Sequence, residues 1–309
     1  MPIVSIIIPT FNRKPELLKR SILSILNQNY KKFEILIIDD NYDNNYISQI
    51  SNSIQAFNDE RIIYVKNKTN IGGAKSRNKG IEIAKGKYIS FLDDDDFYLK
   101  DKLEKQIEFL ENNPFDFVIS NLAILDTSYK LKDLRTFNWF KNNKYSNEEL
   151  LVKHYKYHLT GTPTFMFKTN MLKDIAGFPD VEMGHEFHLV DIALRKNFKL
   201  GYMNEYFTIA IAHEGNRIST SNKRQKQLDN LLKYKFESEI DLTNKDKKRI
   251  LFRHYLAKTS DHLNQGRKIM TIKSAVNAFF NYPPAFIYEI FKLVAIKINN
   301  KGVNENECK

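Results

Sequence analysis

Short apolar runs and segments of helical spacing alternate along the N-terminal third of the chain. Runs rich in β-branched and aromatic residues predict strands at Val4–Ile8, Phe33–Ile38, Arg61–Val65 and Tyr88–Leu92, the first of them stopped by Pro9. Apolar residues at helical spacing predict helices over Pro15–Asn27, Gly72–Ala84 and Leu103–Leu110, with Gly86 at the C′ position of the second. Continuous apolar strands separated by helices are typical of an α/β protein with a mostly parallel sheet covered on both faces.

Beyond this alternation the pattern changes twice. Phe115–Ser120 and Thr164–Phe167 predict two further strands within an irregular middle segment. From about Asn222 the chain turns helical and basic. We therefore divide it into residues 1–222 and a C-terminal helical region, residues 223–309.

Composition limits the number of domains and the cellular compartment that we expect for this protein. The chain has 309 residues, 42% of them hydrophobic, which suffices for one large domain with an appendage. Its single cysteine, Cys308, cannot form an intramolecular disulfide, and no signal peptide precedes the first strand, so we expect a cytoplasmic protein. The apolar stretch Ala285–Ile298 is too short and too charged to span a bilayer.

The formal net charge of +11 favours anionic partners such as nucleotides or an anionic membrane surface. The chain shows no RNA-binding signature, zinc-ligand spacing or basic recognition helix. Nucleic acid is therefore not an expected partner.

Four consecutive acids, Asp93–Asp96, follow the apolar run Tyr88–Leu92. Adjacent carboxylates repel one another, and hard divalent cations such as Mg²⁺ or Mn²⁺ bind carboxylate oxygens together with substrate phosphates. Because ligands of α/β sheets bind at the carboxyl ends of strands, the cluster indicates a metal–diphosphate site at this edge. A solvated acidic loop is the alternative.

Four ordered segments together resemble a family 2 glycosyltransferase of the GT-A fold. They are Val4–Arg13, Ile37–Asn41, Asn70–Gly80 and Gly86–Asp96. The likeness runs in order to about residue 110 and more weakly to about residue 220. It implies the nucleotide-diphospho-sugar transferase fold, with a Rossmann-like sheet, and an enzyme of bacterial surface-polysaccharide synthesis that uses a UDP-sugar.

The resemblance implies a nucleotide pocket at the strand ends. The residues implied to contact the nucleotide or its phosphates are Pro9, Thr10, Asn12, Arg13, Asn70 and Arg77. Asp39 would accept from the N3–H of uracil, a role that suits a carboxylate because an ionised carboxylate only accepts. The structural alternatives are Asp39 and Asp40 as turn acids and Arg77 as a surface arginine.

The acidic run fits the Asp-x-Asp pattern of this family as Asp93-Asp94-Asp95, with Asp96 as a further acid. By resemblance, Asp93 and Asp94 would bind the nucleotide-sugar, Asp93 would also contribute to the metal environment, and Asp95 would coordinate Mn²⁺ or Mg²⁺. The metal would act as a Lewis acid on the leaving nucleoside diphosphate.

A polar loop after the core carries His213 and Arg217. In related folds a histidine or basic residue at this place closes over the diphosphate, so the resemblance makes both residues candidate donor contacts and His213 a candidate metal ligand. An ordinary loop histidine is the alternative.

Inversion at the anomeric carbon requires a base that removes the proton of the acceptor hydroxyl. Similar enzymes carry a Glu-Asp pair at the start of a helix, where this chain departs from the pattern with His185-Glu186. We predict Glu186 as the base, ahead of His185 and of Asp191, which lies five residues on and faces another side. A first-turn helix acid favoured by the helix dipole is the alternative for Glu186.

Three other classes of protein are weighed against this hypothesis. A nicotinamide-dependent dehydrogenase needs a Gly-x-Gly-x-x-Gly turn after its first strand, where this chain has Pro9–Arg13 without glycine. A sugar nucleotidyltransferase shares the strand-end arrangement but usually begins with a glycine- and arginine-rich loop. A catalytically impaired binding or scaffold protein is disfavoured by the intact acids Asp39, Asp93 and Asp95.

The C-terminal helical region combines basic and bulky apolar side chains. Arg267, Lys268 and Lys273 lie near Ile269, Met270 and Ile272, and Lys292 and Lys297 lie among Phe286, Ile287, Ile290, Phe291, Leu293 and Val294. Such segments can hold a protein at an anionic membrane surface without spanning it. With the resemblance, this implies peripheral contact at the inner face of the cell membrane and a surface-glycan or lipid-linked saccharide acceptor. Packing on the catalytic domain or a homo-oligomer interface is the alternative.

Overall fold

The structure is a computed structural model that describes residues 3–140, 142–212 and 221–298. The strands in these ranges are β1 (Val4–Thr10), β2 (Phe33–Asp39), β3 (Ile62–Lys66), β4 (Tyr88–Phe91), β5 (Phe97–Tyr98), β6 (Phe117–Asp126), β7 (Leu131–Arg135), β8 (Met166–Lys168) and β9 (Leu200–Ala212). The helices up to residue 212 are α1 (Pro15–Leu26), α2 (Asn44–Gln55), α3 (Gly73–Ile83), α4 (Lys102–Asn112), α5 (Asn147–Tyr157), α6 (Thr169–Asp174) and α7 (His185–Arg195). The C-terminal helices are α8 (Ser221–Glu237), α9 (Asn244–Asn264), α10 (Lys268–Asn281) and α11 (Pro283–Ile298).

All the described strands join one sheet in the order β3-β2-β1-β4-β8-β6-β9-β5, with β7 paired to β6. The first four strands of this order are parallel, as the sequence predicts for the N-terminal third. Beyond β4 the sheet is mixed, because β8 runs antiparallel to β4 and β6, whereas β6 and β9 are parallel. Parallel pairs need long crossovers, which the chain provides where strands and helices alternate.

Three local features differ from the sequence-based expectations. Strand β1 continues through Pro9 to Thr10, since a proline near the end of a strand removes only one ladder donor. Helix α3 ends at Ile83, and Gly86 is not its C′ residue: a Cβ on Gly86 would lie 2.6 Å from the Ser5 nitrogen, so glycine is needed there for close approach to β1. Helix α2 was not predicted, because only Ile50 and Ile54 of its residues are buried.

Two hydrophobic clusters cover the two faces of the sheet. Alternate residues of β1 divide between them, with Ile7 in one cluster and Ile6 and Ile8 in the other. Helices α3 and α7 contribute to the first cluster, and α1, α2 and α4 to the second. A Cβ on Gly80 would lie 2.5 Å from a methyl carbon of Ile7, so this glycine lets α3 pack directly on β1.

The C-terminal helices continue from this core. Leu231 of α8 packs with Tyr155 of α5 and Phe187 of α7, and a smaller cluster joins Phe252 of α9 to Ala278 of α10. Within residues 221–298, as elsewhere in the described chain, no helix is long and apolar enough to cross a membrane.

Candidate active site

The candidate site lies where β1, β2 and β4 end. These parallel strands leave Thr10, Asp39 and the acidic loop after Phe91 at the same edge of the sheet. From β1 the strand order proceeds to β2 and β3 on one side and to β4 on the other. Such a reversal opens a crevice at the carboxyl ends of the strands, which is the usual ligand site of an open α/β sheet.

The acidic loop alternates between buried and partly exposed side chains. Asp94 and Asp96 are buried, whereas Asp93 and Asp95 are partly exposed. Within the buried pair, Asp96 accepts a hydrogen bond from the backbone N–H of Ile211 at 3.0 Å, which ties the loop to β9. Because two of the four carboxylates point into the protein, the loop is not a freely solvated acidic segment.

Helix α1 holds the backbone of the acidic loop. The Ser21 hydroxyl donates to the carbonyl oxygen of Asp96 at 2.6 Å, and the Arg20 guanidinium donates to the carbonyl oxygen of Asp95. Arg20 also donates to the Tyr129 hydroxyl at 3.1 Å. These two residues of α1 were not singled out from the sequence, since Ser and Arg within a helix carry no local signal for such a role.

Two arginines balance the charge of the loop. The Arg13 Nε lies 2.8 Å from Asp94 Oδ1, and its Nη2 lies 3.0 Å from Asp95 Oδ2. The Arg77 Nη2 lies 2.5 Å from Asp93 Oδ1. The structure therefore brings together five of the predicted site residues, and the two guanidinium groups pair with three of the four carboxylates.

Burial changes the protonation of the inward-facing acids. Loss of hydration raises the pKa of Asp94 to about 7, although the Arg13 guanidinium opposes this shift. Burial raises the pKa of Asp96 as well, and the neighbouring Asp93 and Asp95 charges add to the effect. Additional positive charge at the loop would favour the ionised form of these acids.

The end of β2 forms a second polar centre around Asp39. This buried carboxylate accepts from the Asn41 backbone N–H at 2.8 Å, from the Asn41 side-chain amide at 2.6 Å and from the Tyr64 hydroxyl at 2.5 Å. Asn41 in turn accepts from the backbone N–H of Asn12 at 2.6 Å. Asp39 thus has protein partners on both oxygens, and uracil recognition by its remaining lone pair stays a prediction.

Asp40 fixes the loop that precedes α3. Its carboxylate accepts from the Asn67 side-chain amide at 2.9 Å, the Ile71 N–H at 2.9 Å and the Gly72 N–H at 2.8 Å. Gly72 has a φ of 85°, in the left-handed region that favours glycine, and Asn70 is exposed on this loop. Asp40 therefore acts as a structural acid that positions the start of the helix carrying Arg77.

The residues present suit a hard divalent cation and a nucleotide. Among the described residues no three acidic, histidine or cysteine side chains are grouped to hold a metal ion. A site with two carboxylates, Asp93 and Asp95, is nevertheless what Mg²⁺ and Mn²⁺ use when phosphates and water complete the coordination. Nearby, the buried Thr10 hydroxyl at the end of β1 interacts with the Asp94 carboxylate, so polar groups of β1 and of the acidic loop meet at this edge.

The predicted base region begins helix α7. His185 and Glu186 lie in its first turn and are partly exposed, and the His185 Nδ1 lies 3.2 Å from the Pro179 carbonyl oxygen. Asp191 is buried and accepts from Arg195 Nε at 2.9 Å and from the Tyr234 hydroxyl at 2.7 Å. The Asp191 carboxylate thus faces α8, and the choice of Glu186 as the base stays a prediction.

A segment before α7 connects this helix to the acidic loop. The Asn78 side chain donates to the Phe178 carbonyl at 2.7 Å and accepts from the Phe178 N–H at 2.7 Å. The Arg77 guanidinium carbon lies 5.6 Å from the centroid of the Phe178 ring, and the ring centroids of Phe178 and Phe91 are 5.1 Å apart. Since Arg77 pairs with Asp93, the chain leading to Glu186 is anchored beside the acids.

Two predicted donor contacts, His213 and Arg217, lie outside the described residues. The described part of β9 ends at Ala212, directly before His213. The preceding residue, Ile211, donates its backbone N–H to the Asp96 carboxylate.

The comparisons with known proteins agree with this fold. Residues 5–176, more than half of the chain, match the model of glycosyl transferase family 2. The chain belongs to this family. The glycosyltransferase is also 31% identical over 316 residues to an uncharacterised glycosyltransferase of Methanocaldococcus jannaschii, in a match that covers 97% of both chains.

A shorter match relates part of the chain to a named bacterial enzyme. The UDP-Glc:α-D-GlcNAc-diphosphoundecaprenol β-1,3-glucosyltransferase WfaP of Escherichia coli is 41% identical over 124 residues. The match covers 40% of this chain and 47% of that enzyme.

Solved structures with the same fold span nearly the whole glycosyltransferase. Staphylococcus aureus TarS, residues 1–349, superposes with a TM-score of 0.59 at 18% identity, covering 97% of this chain and 89% of that one. A mannosyltransferase of Pyrobaculum calidifontis in complex with GDP-Man and Mn²⁺ superposes with a TM-score of 0.56 at 16% identity, covering 97% and 87%. These likenesses establish the GT-A fold for this chain.

Proposed function

We propose that this glycosyltransferase is inverting and metal-dependent, and that it moves a sugar from a UDP-sugar to a hydroxyl of a cell-surface glycan or lipid-linked saccharide. The observation that carries the proposal is the acidic loop Asp93–Asp96 in the β1–β4 crevice, faced by Arg13 and Arg77. A site with both acids and arginines can bind a metal ion and a diphosphate together.

The donor would occupy the edge formed by β1, β2 and the loop before α3. Asp39 would accept from the uracil, while Thr10, Asn12 and Asn70 would line the nucleotide pocket with Pro9. Arg13 and Arg77 would exchange part of their contact with the acids for the phosphates, which suits the planar guanidinium group.

Asp93 and Asp95 would hold the divalent cation, with His213 as a further candidate ligand, and Asp94 would contribute to donor binding. When bound, Mn²⁺ or Mg²⁺ supplies Lewis-acid stabilisation to the nucleoside diphosphate as it leaves. Support for the metal comes from the Mn²⁺ in the structure of the P. calidifontis mannosyltransferase, which shares the fold.

On the acceptor side, Glu186 would take the proton of the attacking hydroxyl. The hydroxyl oxygen then bonds to the anomeric carbon from the face opposite the diphosphate, the bond from that carbon to the diphosphate oxygen breaks, and UDP leaves. Partial exposure of Glu186 keeps it accessible, whereas Asp191 is engaged by Arg195 and Tyr234.

The acceptor class is proposed from the named relative, since the name of WfaP gives α-D-GlcNAc-diphosphoundecaprenol as its acceptor and UDP-Glc as its donor. We also propose that residues 1–222 form the catalytic domain and residues 223–309 a helical region attached to it. Leu231 of α8 packs on Phe187 of the base helix, so the attachment is close.

Calorimetry of UDP binding with and without Mn²⁺ tests the donor and metal assignments. We expect UDP to bind more tightly when Mn²⁺ is present. UDP affinity that does not change with Mn²⁺ would contradict the metal assignment, and a lack of UDP binding would contradict the donor assignment. A panel of UDP-sugars, assayed for hydrolysis with Mn²⁺, would then identify the sugar.

A further inference from the structure

Helices α10 and α11 carry most of the large hydrophobic side chains that the described residues expose to solvent. The most exposed are Ile269, Phe280 and Phe291, at 82%, 73% and 68%. We define the α10–α11 face by the exposed side chains Ile269, Ile272 and Phe280 of α10 and Ile287, Ile290 and Phe291 of α11. The two helices touch where the Phe279 and Phe286 rings lie 5.7 Å apart, and bulky apolar side chains exposed on adjoining helices are typical of an interaction site.

The polarity of α11 is reversed relative to a helix that simply packs on a soluble protein. At about 100° per residue, Ala285, Glu289 and Lys292 fall on one side, opposite Ile287 and Phe291. The first side faces the protein: Ala285 is buried, Glu289 is half-buried, and the Lys292 ammonium donates to Asp133 Oδ1 at 2.5 Å and to the Leu134 carbonyl at 2.7 Å. The charges therefore point inward and the bulky apolar groups outward.

Helix α10 shows the same arrangement with smaller groups inside. Ser274 and Ala278 are its buried residues, and Ile272, Val276 and Phe280 on the opposite side are exposed. Ordinary amphipathic helices bury the large apolar side chains and expose the small and polar ones. Packing on the catalytic domain, one of the alternatives for this region, therefore does not account for the α10–α11 face.

The charges around the face are basic. Lys268 and Lys273 are exposed on α10, and Glu289, the one acid within the described residues 268–298, is turned toward the protein. In a two-fold interface between copies each patch meets itself, which tends to bring like charges close together. Anionic lipid headgroups, by contrast, complement the lysines, and fluid acyl chains accommodate protruding rings without a matching surface.

We propose that the α10–α11 face docks on the surface of an anionic phospholipid bilayer, with both helices lying along it. The docking deepens the proposed function, because a lipid-linked acceptor would be met at such a surface. It can be measured without donor, metal or sugar transfer, so its failure is separate from that of the proposed function.

Flotation of the full-length protein with vesicles tests the docking. We expect binding to vesicles of phosphatidylglycerol and phosphatidylcholine at low salt, and weaker binding to phosphatidylcholine alone or at high salt. Phe280→Ser combined with Phe291→Ser should weaken binding by at least about tenfold, since each ring contributes apolar transfer energy. Lys273→Gln should weaken it by about fivefold. Both rings and the lysine are exposed, so these changes leave the core intact.

Leu23→Ser is the matched control, because Leu23 is an exposed apolar residue of α1 and is not part of the α10–α11 face. It should leave vesicle binding unchanged, and thermal unfolding of every variant should match the parent. No binding to anionic vesicles, or binding that the paired substitution leaves intact, overturns the proposal. The protein could instead form a concentration-dependent dimer that the paired phenylalanine substitutions dissociate, without binding vesicles. That result would assign the face to a second copy and also overturn the docking proposal. Vesicle binding without UDP binding supports the docking and contradicts the proposed donor.

Discussion

Replacing Asp40 by asparagine should destabilise the protein and weaken donor binding, although the two side chains have nearly the same shape. Asp40 Oδ1 accepts from Asn67 and Ile71, and Oδ2 accepts from the Gly72 N–H. Asparagine keeps one acceptor oxygen and places an NH₂ group where the other oxygen stood. At least one donor of the loop then faces another donor.

The expected loss follows from the bonds and the burial of the site. Asp40 is 3% exposed, so the donor left without an acceptor is not rescued by bulk water. A hydrogen bond to a charged group contributes about 1.5–3 kcal/mol, and a buried unsatisfied donor costs about 1–3 kcal/mol. We expect the free energy of unfolding to fall by about 3 kcal/mol. UDP affinity should fall as well, because Gly72 caps the helix that carries Arg77.

Urea unfolding and UDP calorimetry of Asp40→Asn measure the two effects. Asp43→Asn is the matched control, because Asp43 is an exposed N-cap of α2 whose side chain accepts from the Asn45 N–H at 2.8 Å. Asparagine caps helices about as well as aspartate, so this change should cost less than about 0.5 kcal/mol. If Asp40→Asn costs no more than the control, the assigned role of Asp40 in holding the loop is wrong.

Three further outcomes are expected. Asp95→Asn should lower kcat by about a hundredfold or more without altering the unfolding transition. Near-normal turnover of this variant with Mn²⁺ would show that Asp95 is not a metal ligand. Glu186→Gln should bind UDP-sugar normally and lose transfer; if Asp191→Asn loses transfer instead, the assignment of the base is incorrect. Burial lowers the pKa of His154 to about 3, below the ordinary 6.5, so the stability it contributes is present above about pH 6.5 and is lost as pH falls toward 3. His154→Gln should therefore unfold in urea with a smaller difference between pH 7 and pH 5, and an unchanged difference would refute this.

The sequence by itself determined the fold class and the position of the acids in it. Continuous apolar runs fix the buried strands β1, β2 and β4, because only burial on both faces accounts for such runs. The acids follow β4 directly, so their place at the carboxyl edge follows from local order along the chain. The four ordered segments also predicted the glycosyltransferase family, and the match over residues 5–176 confirms that prediction.

Other features were decided by the tertiary structure, because they depend on contacts between residues far apart in sequence. The pairing of Asn78 with Phe178 anchors the chain before α7, and no local pattern connects two residues separated by 100 positions. The mixed half of the sheet depends in the same way on which strands meet after β4.

The direction in which a helix faces is also a tertiary property. The sequence shows that α11 is apolar with a few charges, and this composition suits a packed helix, an interface or a lipid surface equally. The contacts of Lys292 with Asp133 and Leu134 turn the charged side of α11 inward and leave Phe291 in solvent. Periodicity along one helix establishes which side chains share a side, but only packing against the rest of the chain determines which side is covered.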